Sequence, residues 1–299
     1  METRGEDHAD RSGHIVLRDP RNHERCLGTA RRDPPRGWST GLRNSTACGH
    51  SRNGSRTEGA HGCTPTAGIP ELRSALAKKI TQRDGFDVKP DQVVLGNGGV
   101  QGIYATLVSL TRPGDVILLP DPAWPNFNMM AALLGLLVVH YSLTATGGYV
   151  PDIDELQHLV DARNSVLLSN SPSNPLGSVV APERMVALVA FAVEHDLWVL
   201  SDECYDEITF DGPAVSPATF DTDGRVISVY SFSKTYAMTG WRLRYVAAPS
   251  AVAGVLAKAQ EPLLSCLNTP TQYAALTALE STPMSWRRWW RRTSNALTS

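Results

Sequence analysis

The sequence predicts an α/β fold in three layers, a mostly parallel sheet with helices on both faces. Three observations predict it. Between residues 64 and 280, short apolar runs alternate with amphipathic stretches of helical period. The apolar runs are continuous rather than alternating, as in strands buried on both faces. The polar residues with chemical potential follow those runs, where open α/β sheets place ligands, beyond the carboxyl ends of strands.

The elements follow in order. Pro70-Glu71-Leu72-Arg73-Ser74-Ala75-Leu76-Ala77-Lys78-Lys79-Ile80 has Pro and Glu in its first turn and apolar residues at Leu72, Leu76 and Ile80, so it predicts an amphipathic helix. Val93-Val94-Leu95 predicts a short buried strand, Gly96-Asn97-Gly98-Gly99 a tight connection, and Gln101 to Leu110 a helix. Thr111-Arg112-Pro113-Gly114-Asp115 is a turn, and Val116-Ile117-Leu118-Leu119 the next strand. The alternation then runs as a helix over 126–134, a strand over 137–141, a helix over 153–163 and a strand over 166–168. A helix over 182–195 and a strand over 197–200 come next, then strands over 226–229 and 243–247, then helices over 249–260 and 270–280.

With 299 residues and 42% hydrophobic content the chain can bury a sizeable core, and a formal charge of -2 gives no electrostatic case for nucleic acid. The five cysteines are odd in number, scattered and without metal-ligand spacing, which predicts a reduced, cytoplasmic protein. No signal peptide is visible, and the longest apolar run, 131–139, is too short to span a bilayer, so no membrane partner is expected. The ends differ from the middle. Residues 1–62 contain eleven arginines and no lysine, phenylalanine or tyrosine, and show neither helical nor strand period. Residues 281–299 set Trp286, Trp289 and Trp290 among Arg287, Arg288, Arg291 and Arg292. Three readings stand open for these ends: disordered termini, a basic or aromatic-basic arm for nucleic acid or membrane, or out-of-frame translation flanking a genuine middle.

The most telling residue is Lys234, in Ser231-Phe232-Ser233-Lys234-Thr235-Tyr236-Ala237-Met238-Thr239-Gly240-Trp241-Arg242. A lysine in a hydroxyl-rich turn, with an arginine eight residues on, suits Schiff-base chemistry on a phosphorylated aldehyde cofactor: the amine attacks, while arginine and serine hold the phosphate. The chain has only four other lysines (Lys78, Lys79, Lys89 and Lys258), in charged or helical stretches. Three further segments stand in order before it. They are Cys63-Thr64-Pro65-Thr66-Ala67-Gly68-Ile69-Pro70-Glu71-Leu72-Arg73, then Gly96-Asn97-Gly98-Gly99-Val100-Gln101, then Asn170-Ser171-Pro172-Ser173-Asn174-Pro175-Leu176-Gly177 followed by Ser201-Asp202-Glu203-Cys204-Tyr205.

This ordered set resembles the class I/II aminotransferases, pyridoxal 5'-phosphate enzymes of the aspartate aminotransferase fold (fold type I), over residues 63–280. The resemblance implies that Lys234 forms the Schiff base and shuttles the proton between Cα and C4′. It implies that Asp202 pairs with the protonated pyridine nitrogen, so that the ring can act as an electron sink. Tyr205 and Asn174 would hydrogen-bond the cofactor's phenolate oxygen. Gly99, Val100 and Gln101 would offer the phosphate the backbone N–H groups of a helix start, with Ser231, Ser233 and Arg242 completing the cup. Trp124 matches the position of an aromatic stacked on the pyridine ring. Cys204 reads as a small buried filler rather than a nucleophile.

The departures are informative. Cys63 stands where the family usually carries a tyrosine that reaches the partner subunit's phosphate. No match is found for the family's substrate-closing N-terminal segment, nor for the small domain whose arginine grips the substrate carboxylate. The resemblance therefore predicts a cofactor-binding large domain over 63–280, with the small domain largely missing and both ends truncated or frame-disrupted. The function it implies is transfer of an amino group between an amino acid and a 2-oxo acid, in a homodimer. Rival readings are a carbon–sulfur lyase on the same fold and a non-catalytic binding protein built on it.

Overall fold

A computed structural model describes residues 62–210 and 212–281. The expectations placed on the Arg-rich segment 1–62 and the Arg/Trp-rich tail 281–299 lie, apart from the boundary residues, outside the described residues.

The chain builds one seven-stranded sheet. Its strands are β1 (Val93–Gly96), β2 (Val116–Asp121), β3 (Leu137–Ser142), β4 (Asn164–Asn170), β5 (Trp198–Asp202), β6 (Val226–Ser231) and β7 (Arg244–Ala247). Their spatial order is β1-β7-β6-β5-β4-β2-β3. Strands β2 to β6 pair in parallel, and β7 runs antiparallel to both its neighbours, β6 and β1. The mostly parallel sheet is as expected. The reversal of β7 goes with a connection of only a dozen residues that holds no helix longer than the four-residue Phe232–Thr235, so the chain folds straight back beside β6 rather than crossing over the sheet.

Eight helices are described: α1 (Pro70–Asp84), α2 (Gly98–Leu110), α3 (Asn126–Leu133), α4 (Ile153–Leu159), α5 (Pro182–Glu194), α6 (Phe232–Thr235), α7 (Ser250–Leu264) and α8 (Thr269–Ser281). Helix α4 ends four residues short of the expected 163, because Asp161, Ala162 and Arg163 turn into β4, with the Asp161 carboxylate accepting the Arg163 backbone N–H at 2.8 Å. Helix α2 starts three residues earlier than expected, since Gly98 and Gly99 already belong to it.

The two faces of the sheet carry separate cores. On one, Val94, Leu119, Leu168, Leu200, Val229 and Val246 pack against α2, α3 and α7. On the other, Leu95, Tyr230 and Tyr245 pack against α1 and α8, and Leu118, Leu167 and Val199 against α4 and α5. This is the three-layer arrangement that the continuous apolar strands require. The strand period of two has a further consequence: one position past each core residue pair, the α2 face of the sheet ends in Gly96, Arg244, Ser231, Asp202 and Asn170. Register sets these residues side by side, with Arg244 opposite both Gly96 and Ser231, and Asn170 opposite Asp202.

Candidate active site

The site is built along that row, at the carboxyl ends of the parallel strands and the first turn of α2. Asp202 closes β5 and is buried at 6% exposure. Burial pushes its carboxyl up to about 6, opposed by the positive charge of Arg244 and by the Cys204 backbone N–H, which donates to Oδ1 at 3.2 Å. Asn170 fixes the surroundings: its Nδ2 donates to the Asp202 carbonyl at 3.1 Å, and its Oδ1 accepts the backbone N–H of Asn174 at 2.8 Å. Two of the expected residues are thereby tied together through a third.

Strand β6 delivers Lys234 directly. Ser231 ends the strand in an extended conformation and caps the short α6, its Oγ accepting the Ser233 N–H at 3.0 Å. Ser233 is buried and makes this contact with its backbone N–H. Lys234 is exposed, and its Nζ lies over the ring of Tyr205, 5.2 Å from the centroid. The thiol of Cys204 hydrogen-bonds Ser231, and burial together with the negative Asp202 pushes it up to about 11, so it stays protonated near neutrality.

The third wall is the start of α2. Gly98 takes φ +76, and a Cβ there would lie 2.1 Å from Nη2 of Arg242, so only glycine admits both the turn and the arginine. Arg242 is anchored by Nη1 donating to the Thr239 carbonyl at 3.0 Å. Gly99 faces open space and Val100 is 39% exposed, leaving their backbone N–H groups at the positive end of a thirteen-residue helix. The side chain of Gln101 turns away: Oε1 accepts the Asn97 N–H at 3.1 Å and Nε2 donates to Gln260 at 3.1 Å. Only its backbone can serve a ligand. Trp124, half-buried after β2, sets its ring edge-to-face on Phe127 at 5.4 Å. An open cleft of about 660 Å³ is lined by Asn174 and Tyr205 together with Pro172, Val179, Ile208 and Phe210.

Two features were missed in the sequence. Arg244 is fully buried beneath α2, where its Nη1 donates to the Gly99 carbonyl while Nε and Nη2 have no hydrogen-bond partner. The signal available was a charged residue inside an otherwise apolar strand. The second is a buried charge network behind the site. Arg83 of α1 pairs with Asp84 and Asp206, lies 4.0 Å from Glu203 and covers the Tyr230 ring at 4.8 Å, while Lys79 pairs with Glu207 at 2.5 Å. It pins the turn 203–207, which carries Tyr205, to α1.

A reachable lysine, a buried acid and the start of a helix flanked by arginines thus stand on one edge of a mostly parallel α/β sheet. The family model for aminotransferases of class I and II matches residues 46–293, and the chain belongs to this family, whose cofactor is pyridoxal phosphate. It is 34% identical over 233 residues to the aspartate/prephenate aminotransferase of Thermus thermophilus, a match covering 77% of this chain and 60% of that one. It is likewise 34% identical over 227 residues to the probable aspartate/prephenate aminotransferase of Aquifex aeolicus, covering 75% and 58%. Among solved structures, the Thermus thermophilus aspartate aminotransferase with maleate superposes at a TM-score of 0.75 with 32% identity, covering 80% of this chain and 62% of that one. The aromatic aminotransferase of Pyrococcus horikoshii gives 0.74 and 33%, covering 79% and 64%. The chain thus spans about three fifths of the length of the relatives it matches. Among the described residues, no helix is long and apolar enough to cross a membrane.

Proposed function

We propose that this chain binds pyridoxal 5'-phosphate at Lys234 and serves amino-group transfer between an amino acid and a 2-oxo acid. The observation that carries the reading is the placement of Lys234 Nζ 5.2 Å from the ring centroid of Tyr205, three residues after the buried Asp202. The residues present fit the group. The unpartnered Nε and Nη2 of Arg244 and the Gly98 turn held against Arg242 make a cationic, donor-rich cradle that suits a phosphate.

When bound, the cofactor supplies an aldehyde that condenses with amines and a ring that accepts electrons. Lys234 contributes the amine and removes the proton from the substrate Cα. Asp202 holds a negative charge against the ring nitrogen, and its burial keeps that charge out of competing water. Tyr205 and Asn174 would donate to the phenolate oxygen, and Asn170 ties Asn174 to the Asp202 backbone. Ser231, Arg242 and the first N–H groups of α2 would hold the phosphate, and Trp124 would cover the ring. The cleft beside Asn174 and Tyr205 admits the substrate, and a second copy of the chain is the expected partner.

Incubation with pyridoxal phosphate, followed by borohydride and peptide mapping, tests the reading. A reduced adduct on Lys234, absent in Lys234→Ala, is the expected result. A folded protein that acquires no adduct overturns it. Aspartate and prephenate head the first substrate panel, since these stand in the relatives' names.

A further inference from the structure

Arg244 calls for an anion. Its side chain is 0% exposed, and only Nη1 is satisfied, by the Gly99 carbonyl in the first turn of α2. Nε and Nη2 are buried without a partner. A buried guanidinium with empty donors is strongly unfavourable. This one also lies under the positive end of a thirteen-residue helix, where a cation is opposed by the dipole. The chain nonetheless makes room for it. A Cβ on Gly102 would fall 2.1 Å from Cζ and 2.2 Å from Nε, so the absence of a side chain at 102 is what lets the guanidinium lie flat beneath α2. Arg242 meets the same turn from above, against Gly98. Two guanidiniums therefore lie against the first turns of α2, Arg242 at Gly98 and Arg244 at Gly99 and Gly102. Asp202 does not use up the donors: the Arg244 charge reaches it through space, without a hydrogen bond from Nε or Nη2.

We propose that Arg244 is a second guanidinium for the cofactor's phosphate, donating through Nε and Nη2 from the floor of the cradle while Arg242 and the first N–H groups of α2 close it from above. This inference rests on the cofactor reading given above. A dianion satisfies all the orphaned donors at once, whereas a neutral ligand leaves the guanidinium unpaired.

The experiment compares pyridoxal 5'-phosphate with pyridoxal, which lacks the phosphate, on the full chain by absorbance titration. Arg244→Met should weaken pyridoxal phosphate about 10- to 100-fold more than pyridoxal, through the loss of charge-assisted hydrogen bonds to the phosphate, since any change in the Arg244 charge on Asp202 touches both ligands alike. Inorganic phosphate should protect the wild-type protein against thermal unfolding, and protect the variant less. Equal loss for both ligands, or none for either, overturns the proposal and leaves Arg244 as a partner of Asp202 only. Should Arg244→Met fail to fold by circular dichroism, Arg244→Lys, which keeps a charge but not the fork, and Gly102→Ala, which pushes the guanidinium aside, carry the same comparison. Unchanged preference for the phosphorylated ligand in both overturns the proposal equally. Wild-type protein that forms no Lys234 adduct sinks the cofactor reading. Normal wild-type binding with unaffected variants sinks only the role of Arg244.

Discussion

Arg83→Met should destabilise the fold, and by more at alkaline than at acid pH. Arg83 sits in the last turn of α1, with a side chain only 22% exposed. Its Nε and Nη2 donate to the two Asp84 oxygens at 2.8 and 2.6 Å, Nη1 pairs with Asp206, and Glu203 lies 4.0 Å away. The three carboxylates are 3%, 6% and 4% exposed. Methionine preserves much of the stem's packing on Tyr230 but strips the charge. Leaving buried charges without their partner costs about 3–5 kcal/mol. Glu203 makes the cost depend on pH. Burial pushes its carboxyl from 4.5 up to about 7 even with Arg83 beside it, which opposes that rise. A raised carboxyl pKa means that the folded state holds its proton more tightly than the unfolded chain, so stability falls as pH rises from 4.5 through about 7. Without Arg83 the Glu203 pKa climbs further and the window widens upward, so the variant loses more at pH 8 than at pH 5.5. Urea denaturation at both values, followed by far-ultraviolet circular dichroism, measures this. A loss under about 1 kcal/mol at both pH values, the range of a surface pair, would refute the reasoning, as would a larger loss at pH 5.5.

Two further outcomes test the site itself. Gly98→Ala places a methyl 2.1 Å from Arg242 Nη2 at a φ of +76, so pyridoxal phosphate affinity should fall about tenfold or more while the far-ultraviolet spectrum is retained; full affinity in titration would show that Arg242 does not depend on that turn. Asp202, pushed up to about 6 by burial, loses its charge as pH falls through that value, so any transaminase turnover should decline below about pH 6. Asp202→Asn should cut turnover at least about 100-fold and remove this acid limb from the profile; an acid limb that survives in the variant assigns it to another group.

The placement of the candidate residues at one edge of the sheet was legible in the chain. Lys234, Ser231, Asp202 and Asn174 follow strands whose apolar runs are unmistakable, and a strand end with a short polar turn delivers such residues to one edge of the sheet whatever the details of packing. Gln101 shows the limit. The glycine segment offers its backbone N–H at a helix start, but the engagement of its side chain by Asn97 and by Gln260 of α7, more than 150 residues away, could not be read from that segment. The hydrogen bond from the Ser233 backbone N–H to Ser231 Oγ is likewise a product of the folded turn.

The order of elements, the three layers and the identity of the residues at the strand ends were determined by the sequence alone, because periodicity and turn chemistry are local and each segment expresses them without its neighbours. The reversal of β7, the burial of Arg244 under Gly102 and the clamp of α1 on the turn 203–207 were decided only by tertiary structure. The physical reason is that register and desolvation are properties of pairs. Arg244 faces Gly96 across one strand boundary and Ser231 across the other, and Arg83 meets Asp206 from more than a hundred residues away. Whether a charge is solvated, paired or left waiting for an anion is fixed only when those distant segments meet.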